Sequence, residues 1–198
     1  MCELAFASFG GGLPEGMEQS LEAVAYFDPP NLVWPFGAHI AVVEVDPDTG
    51  AVNFEQYVAV DDCGNVINPM IVEGQLHGGI VQGIAQALFE DVAYDLESGQ
   101  LRTGTMLDYS IPTANEIPVM KLDSTVTPTT VNELGVKGIG EAGTIASSGA
   151  VINAITDALS PLGIKHVDMP ASPDRLWKQI QEARAKSSSA ANGGGAQA

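Results

Sequence analysis

Two stretches of the chain alternate apolar and polar residues with a period of two. Residues 38–45 and 52–61 flank Asp46-Pro47-Asp48-Thr49-Gly50, so they read as a β-hairpin closed by a five-residue turn. Two other stretches switch to a helical period. In residues 73–90, Leu76, Ile80, Ile84 and Leu88 recur at steps of four, with Val81 and Ala85 beside them. Further on, Ser148, Val151, Ile152, Ile155, Ala158 and Leu159 follow i, i+3, i+4, i+7. Each pattern predicts a helix with one face built for a core. Residues 119–127 alternate and are rich in β-branched side chains, a strand ended by Pro128, and 164–167 read as a shorter one. Residues 94–103 give a turn at 97–100 and a short strand. Ser172-Pro173-Asp174 opens a last helix, with Ser as N-cap, Pro at N1 and acid in the first turn, and Leu176, Trp177 and Ile180 on one side.

The interruptions of these patterns carry as much information. Residues 1–35 are broken by Gly and Pro and predict an irregular segment in which 17–26 is the one helical interval. The aromatic group Tyr26, Phe27, Trp34 and Phe36 is either a local core or an interface with a partner or with sequence outside this chain, and the second is the reading taken. Residues 108–118, with two prolines and no period, are an ordered loop, and 187–198 lack the apolar residues to order themselves and predict a flexible tail. Gly78, Gly79 and Gly83 sit inside the 73–90 helix, where each costs about 0.8–1.0 kcal/mol relative to alanine. Such a cluster predicts that another backbone or a cofactor passes close by. Gly135, Gly138, Gly140 and Gly143 predict a turn whose N–H groups face a ligand at a helix N-terminus, with Glu141 where ligand and helix meet. Glu141 read alone is equally an acid complementing the helix dipole. Lys137, inside the turn, is either an anion-holding or a solvent-facing lysine.

A formal net charge of −17, with Arg102 the first basic residue, argues against nucleic acid as a partner. Asp46, Asp48, Asp61 and Asp62 read as solvated turn residues. Cys2 and Cys63 are too few for a disulfide framework or an iron–sulfur cluster, and Cys63 reads as a small buried or turn residue. His77 and His166 lack partners at zinc-ligand spacing, and a lone His39 on the hairpin reads as structural. No P-loop or G-x-S-x-G is present. With no apolar run of 18 residues and no basic n-region at the start, the expected location is cytoplasmic, without a transmembrane segment.

GVKGIGEAGTIASSGAVINAITDAL at 135–159, VEGQLHGGIVQGIAQALFE at 72–90 and DYSIPTANEIP at 108–118 together resemble the C-terminal part of the molybdenum hydroxylase large subunit. This is the family of xanthine dehydrogenase, aldehyde oxidase and the carbon monoxide dehydrogenase large chain. The likeness runs from about residue 36 to 180, and 36–186 is taken as the C-terminal part of a molybdopterin-binding domain. It implies an α+β fold with a mixed sheet and packed helices. It implies molybdenum on molybdopterin, plain or as the cytosine dinucleotide, with [2Fe–2S] clusters and FAD on an iron–sulfur small subunit and a FAD medium subunit. The remainder of the large subunit would be a further partner. Glu141 would then be the base beside molybdenum, with Gln75, Lys137, Gly138, Ile139 and Gly140 about the cofactor and no protein metal ligand. The expected activity is oxidation of an aldehyde, N-heterocycle or similar small molecule with water as the oxygen source. A capping or solvent-facing Gln75 is the plainer alternative, as is a non-catalytic assembly or structural fragment for the whole chain.

Overall fold

The first helix lies where the sequence pattern did not place it. The computed structural model describes residues 2–10, 13–17 and 19–193, and the chain divides into two units, Met1–Leu32 and Val33–Ala198. In the first unit α1 spans Cys2–Phe9, and the described residues of 17–26 are not helical. The run CELAFASF holds no Gly or Pro, has Glu3 in its first turn, and stops where the Gly10 N–H reaches the Phe6 carbonyl at 2.7 Å. Leu21, Val24, Tyr26 and Phe27 are exposed, so an apolar face at 17–26 has nothing described to pack on.

In the second unit β1 (Phe36–Val45) and β2 (Val52–Asp62) form the expected hairpin, antiparallel with a bulge between Val42 and Val43. Its turn is held by the Asp46 carboxylate, which accepts from the Asp48 N–H at 2.8 Å and the Thr49 hydroxyl at 2.7 Å. Helix α2 runs from Pro69 to Leu88 as Pro69–Leu88, one turn earlier than the periodicity suggested, because Asn68 caps the Ile71 N–H and Pro69 occupies N1. β3 (Met120–Ser124) pairs parallel with β2, giving the mixed order β1-β2-β3. It is shorter than 119–127, and the 94–103 strand reduces to a bridge between Tyr94 and Leu101.

Helix α3 (Ala142–Leu159) lies across α2 and the hairpin. Its buried stripe is Gly143, Ser147, Val151, Ile155 and Leu159, at steps of four; Ala158 is exposed, against expectation. Residues 164–167 are not a strand, yet Ile164 and Val167 point into the core. The apolar residues at 164 and 167 mark burial there, but among the described residues no strand pairs with this run. In α4 (Pro173–Gly193) Leu176 and Ile180 are buried and Trp177 is 42% exposed. The helix continues through 187–193, where the sequence predicted a flexible tail, with Ser187 and Ser188 donating back to the carbonyls of Ala183 and Arg184 at 3.1 Å each. Residues 194–198 of that predicted tail lie outside the described residues.

Gly79 and Gly83 of α2 are explained by α3 packed against them, whereas Gly78 is exposed and a Cβ there would meet nothing within 4 Å. A Cβ at Gly79 would lie 3.0 Å from the Thr144 nitrogen and 3.1 Å from the Gly143 Cα, and one at Gly83 would overlap the Ser147 side chain. Gly143 returns the fit, with a Cβ there only 2.7 Å from the Leu76 carbonyl oxygen and 2.9 Å from the Ile80 nitrogen. The Thr144 hydroxyl closes the crossing on the Gly79 carbonyl at 2.9 Å. Gly143→Ala is therefore expected to destabilise by about 1–3 kcal/mol, since rigid backbone must move. Gly149→Ala, on the open side of the same helix where a Cβ meets nothing within 4 Å, is expected to stabilise by about 0.8–1.0 kcal/mol. Chemical denaturation of both variants beside the parent protein reads the difference in sign.

Candidate functional site

The segment leading into α3 is half pinned and half open. The Asn132 side chain ties its own turn by accepting from the Val136 N–H at 3.1 Å and donating to the Val136 carbonyl at 2.9 Å. Val136 bridges to Gly64, the Lys137 N–H donates to the Cys63 carbonyl at 2.8 Å, and the Asn65 amide donates to the Leu134 carbonyl at 2.7 Å. Gly135 is required here: its φ is +68°, and a Cβ would sit 2.7 Å from the Asn65 amide nitrogen. From residue 138 onward such ties cease. Gly138 and Gly140 are exposed, and a Cβ on either would meet nothing within 4 Å. Neither has a positive φ, so openness rather than unusual backbone distinguishes them.

Glu141 closes this open turn as the N-cap of α3, with φ −107° and ψ −6°, and its side chain makes no capping hydrogen bond. The carboxylate is exposed at the positive end of an 18-residue helix. Gln75, also exposed, is one residue before Leu76, whose carbonyl abuts Gly143. Gln75 and Glu141 thus both lie within two residues of the α2–α3 crossing, held in register by the glycine fit. Ile139 is half-buried between Gly138 and Gly140, and its carbonyl accepts from the Ala142 N–H at 3.2 Å.

The Lys137 side chain turns inward. Its ammonium lies 3.1 Å from the Asp62 carboxylate and 4.6 Å from the centre of the Phe36 ring, with 8% of the side chain exposed. Asp62 is fully buried, not a solvated turn residue, and it also accepts from the Gly64 N–H and the Thr125 hydroxyl at 2.9 Å each. Burial alone would raise its pKa, but the Gly64 N–H, the Thr127 and Thr125 hydroxyls and the Lys137 ammonium outweigh that and hold the carboxyl far below the usual carboxylate range. Asp61 is likewise buried, 3.1 Å from His39. Sequence reasoning missed both acids. The available signal was their position, because an alternating strand that ends in Asp61-Asp62-Cys63-Gly64 places one acid on the core face and the next beside a tight turn. Between them and Lys137, the buried Cys63 thiol has its pKa pushed up by burial and by the Asp62 and Asp61 charges, with Lys137 opposing, which keeps it protonated and unreactive.

The residues about the open turn suit a large polar ligand: backbone at Gly138 and Gly140 free of side chains, an exposed amide, and a carboxylate not used for capping. Among the described residues no group of three His, Cys, Asp or Glu side chains is gathered to hold a metal. Residues 1–118 match the family model described as a molybdopterin cofactor-binding domain. The chain belongs to that family. As a molybdopterin cofactor-binding domain protein it takes the first 35 residues into the match, although the sequence motifs suggested a likeness beginning near 36; the 138–141 turn lies beyond the matched residues. The carbon monoxide dehydrogenase large chain of Hydrogenophaga pseudoflava is 43% identical over 169 residues, which is 85% of this chain and 21% of that protein. The nicotine 6-hydroxylase large subunit of Paenarthrobacter nicotinovorans is 44% identical over 163 residues, 82% of this chain and 20% of its own length. The solved reconstituted CO dehydrogenase from Oligotropha carboxidovorans superposes with a TM-score of 0.84 at 40% identity, over 93% of this chain and 23% of the other. The chain thus spans about a fifth of the length of the relatives it matches, and its mixed sheet with packed helices is the fold of that part.

Proposed function

We propose that this chain is the portion of a molybdenum hydroxylase large subunit that supplies the catalytic base, Glu141, beside a molybdopterin cofactor. The observation that carries the reading is the open 138–141 turn, in which a carboxylate free of capping duty stands next to two unobstructed glycines at a helix N-terminus. When bound, the cofactor supplies two-electron oxidation chemistry with water as the source of oxygen.

The chain's own residues divide the remaining work. Backbone N–H groups of the turn and the Gln75 amide, which can donate and accept at once, bind and orient the polar cofactor. Lys137 acts from beneath, fixing the turn through Asp62. Glu141 takes a proton at its carboxylate oxygen, which requires the ionised form before turnover. The substrate class is an aldehyde, an N-heterocycle or a similar small molecule with an electron-poor carbon. The cofactor is molybdopterin, plain or as the cytosine dinucleotide. Electrons leave through [2Fe–2S] clusters and FAD on small and medium partner subunits, in a cytoplasmic complex.

The rest of a large subunit is the first partner. Phe6, Phe9, Tyr26 and Phe27 of the first unit and Trp34 of the second are each more than 60% exposed, aromatic side chains that call for cover by other sequence. None of the described helices is long and apolar enough to cross a membrane.

The test is Gln75→Ala in the assembled enzyme, read by molybdenum analysis and by the Mo(V) resonance. Loss of metal or an altered resonance is the expected result, because the amide is lost beside the helix crossing. Full occupancy with an unchanged signal makes Gln75 a solvent-facing residue. Purification of the full-length protein without any molybdenum or pterin would make this chain a structural part instead.

A further inference from the structure

Glu141 stands between two fixed points of the backbone. On one side Gly143 is wedged against the Leu76 carbonyl and the Ile80 nitrogen of α2. On the other, the Lys137 N–H is held on the Cys63 carbonyl at 2.8 Å, and Val136 bridges to Gly64. Between them the Ile139 carbonyl accepts from the Ala142 N–H at 3.2 Å, and the Thr144 and Ile145 N–H groups donate to the Glu141 carbonyl at 3.0 Å and 3.1 Å. Exposed Gly138 separates that turn from Lys137. What fixes the first point is Asp62. One carboxylate oxygen meets the Lys137 ammonium at 3.1 Å and the Gly64 N–H at 2.9 Å, and the other accepts from the Thr125 hydroxyl at 2.9 Å. One buried carboxylate so joins three stretches distant in sequence: the end of β2, the residue after β3 and the root of the turn. The Phe36 ring lies 4.6 Å from the ammonium and 8% of the Lys137 side chain is exposed, so water competes little for the pair.

Burying two charges is costly, and replacing such a pair by uncharged residues of similar volume is often neutral or stabilising. Stability alone therefore gives little reason for an ion pair here. What the pair adds is direction, because the ammonium reaches Asp62 only when the backbone at 137 lies at one place along the 63–65 segment. That place matters because the ties to 63–65 end at Lys137, close in sequence to a carboxylate that has no capping bond of its own. We propose that Asp62 is a positioning residue, acting through Lys137 to fix where the Glu141 carboxylate stands, so that it governs the rate of proton uptake rather than retention of a cofactor. The proposal rests on the reading of Glu141 as the base, and its test separates the two.

The experiment compares Asp62→Asn, Lys137→Met and the double variant in the assembled enzyme. Asp62→Asn leaves the ammonium without its counter-charge and Lys137→Met does the same to the carboxylate, whereas the double variant buries neither charge but has lost the tie. Melting temperature is expected to fall in each single variant and to return toward the parental value in the double. Positioning does not return with it. In the double variant, peptides covering 137–142 should exchange amide hydrogen about 10-fold faster, with 173–188 unchanged, because the opening is local. Molybdenum content should hold while kcat for substrate oxidation stays lower by about 10-fold to 100-fold with little change in KM, as expected for a misplaced catalytic group. A double variant that regains kcat together with its melting temperature would make the pair structural only and overturn the proposal. Parental exchange at 137–142, faster exchange spread evenly over the whole chain, or a rate that falls only in proportion to lost molybdenum would overturn it as well. Should a single variant fail to assemble, the double variant decides by the same local readouts. If Glu141→Gln leaves the rate intact while exchange at 137–142 still responds to the double substitution, the base reading fails and the anchoring of the turn stands.

Discussion

Glu141→Gln in the assembled enzyme is expected to slow anaerobic reduction by substrate by about 10²–10⁴, the range for loss of a general base, while molybdenum content stays near normal. The amide preserves the shape and most of the hydrogen bonding of the carboxylate but takes up no proton at neutral pH. Because Glu141 makes no capping bond, the substitution breaks no tie that holds α3 in place, so a slow variant with full metal isolates chemistry from assembly. Both kcat and kcat/KM should fall, since a base acts in the transition state. Stopped-flow reduction by an aldehyde or N-heterocycle substrate separates this step from later electron transfer to partner subunits. A variant that reduces at the parental rate would make Glu141 an ordinary helix-terminus acid.

The second large effect is expected at Asp62. Asp62→Ala strands the nearly buried Lys137 ammonium together with the Gly64 N–H and the Thr125 hydroxyl, so it should cost about 3–5 kcal/mol. Asp62→Asn, which keeps part of the hydrogen bonding, should cost less. The sign of the pH dependence follows from the depressed carboxyl of the folded state. Its contribution is fully present above the ordinary value of 3.8 and is lost as pH falls below it toward the folded-state value. The stability gap between parent and Asp62→Ala should therefore be constant at neutral pH and shrink on the acid side. Denaturant titrations at neutral pH and at stepwise lower pH check both statements, and a gap that widens in acid would contradict the assignment of charge to Asp62.

Much of this architecture was legible because the sequence is locally consistent. The hairpin follows from strict alternation around Asp-Pro-Asp-Thr-Gly, and its strands extend beyond the predicted 38–45 and 52–61 by no more than two residues at any end. The crowding of glycines in α2 correctly announced a close neighbour, but only coordinates distinguish a backbone from a cofactor, and here Gly79 and Gly83 meet α3. Gly78 meets nothing within 4 Å, and neither do Gly138 and Gly140 in the turn. What was not legible depended on partners distant in sequence. Lys137 looks the same whether it faces solvent or Asp62, and the acids at 61 and 62 look like any turn until His39 and Lys137 are placed beside them. The 164–167 run failed as a strand for the same reason, because pairing is a property of neighbours rather than of the segment. For the site itself, the glycine turn and Glu141 were readable as a motif, whereas the Lys137–Asp62 pair beneath it left no local trace.

The parallel pairing of β3 with β2 and the docking of 134–137 against 63–65 also impose an order on biosynthesis. Asp62 meets its lysine only when a residue 75 positions later has been made, and Asn65 waits 69 positions for the Leu134 carbonyl. The hairpin, whose strands are adjacent in the chain, can close while the rest is still inside the ribosome, but the floor of the turn beneath Glu141 cannot. During that interval a carboxylate destined for the interior stays in water, and the place where a cofactor would dock does not yet exist. On the proposed reading of the turn, insertion of a cofactor there would follow synthesis of Lys137 and the residues that dock on 63–65.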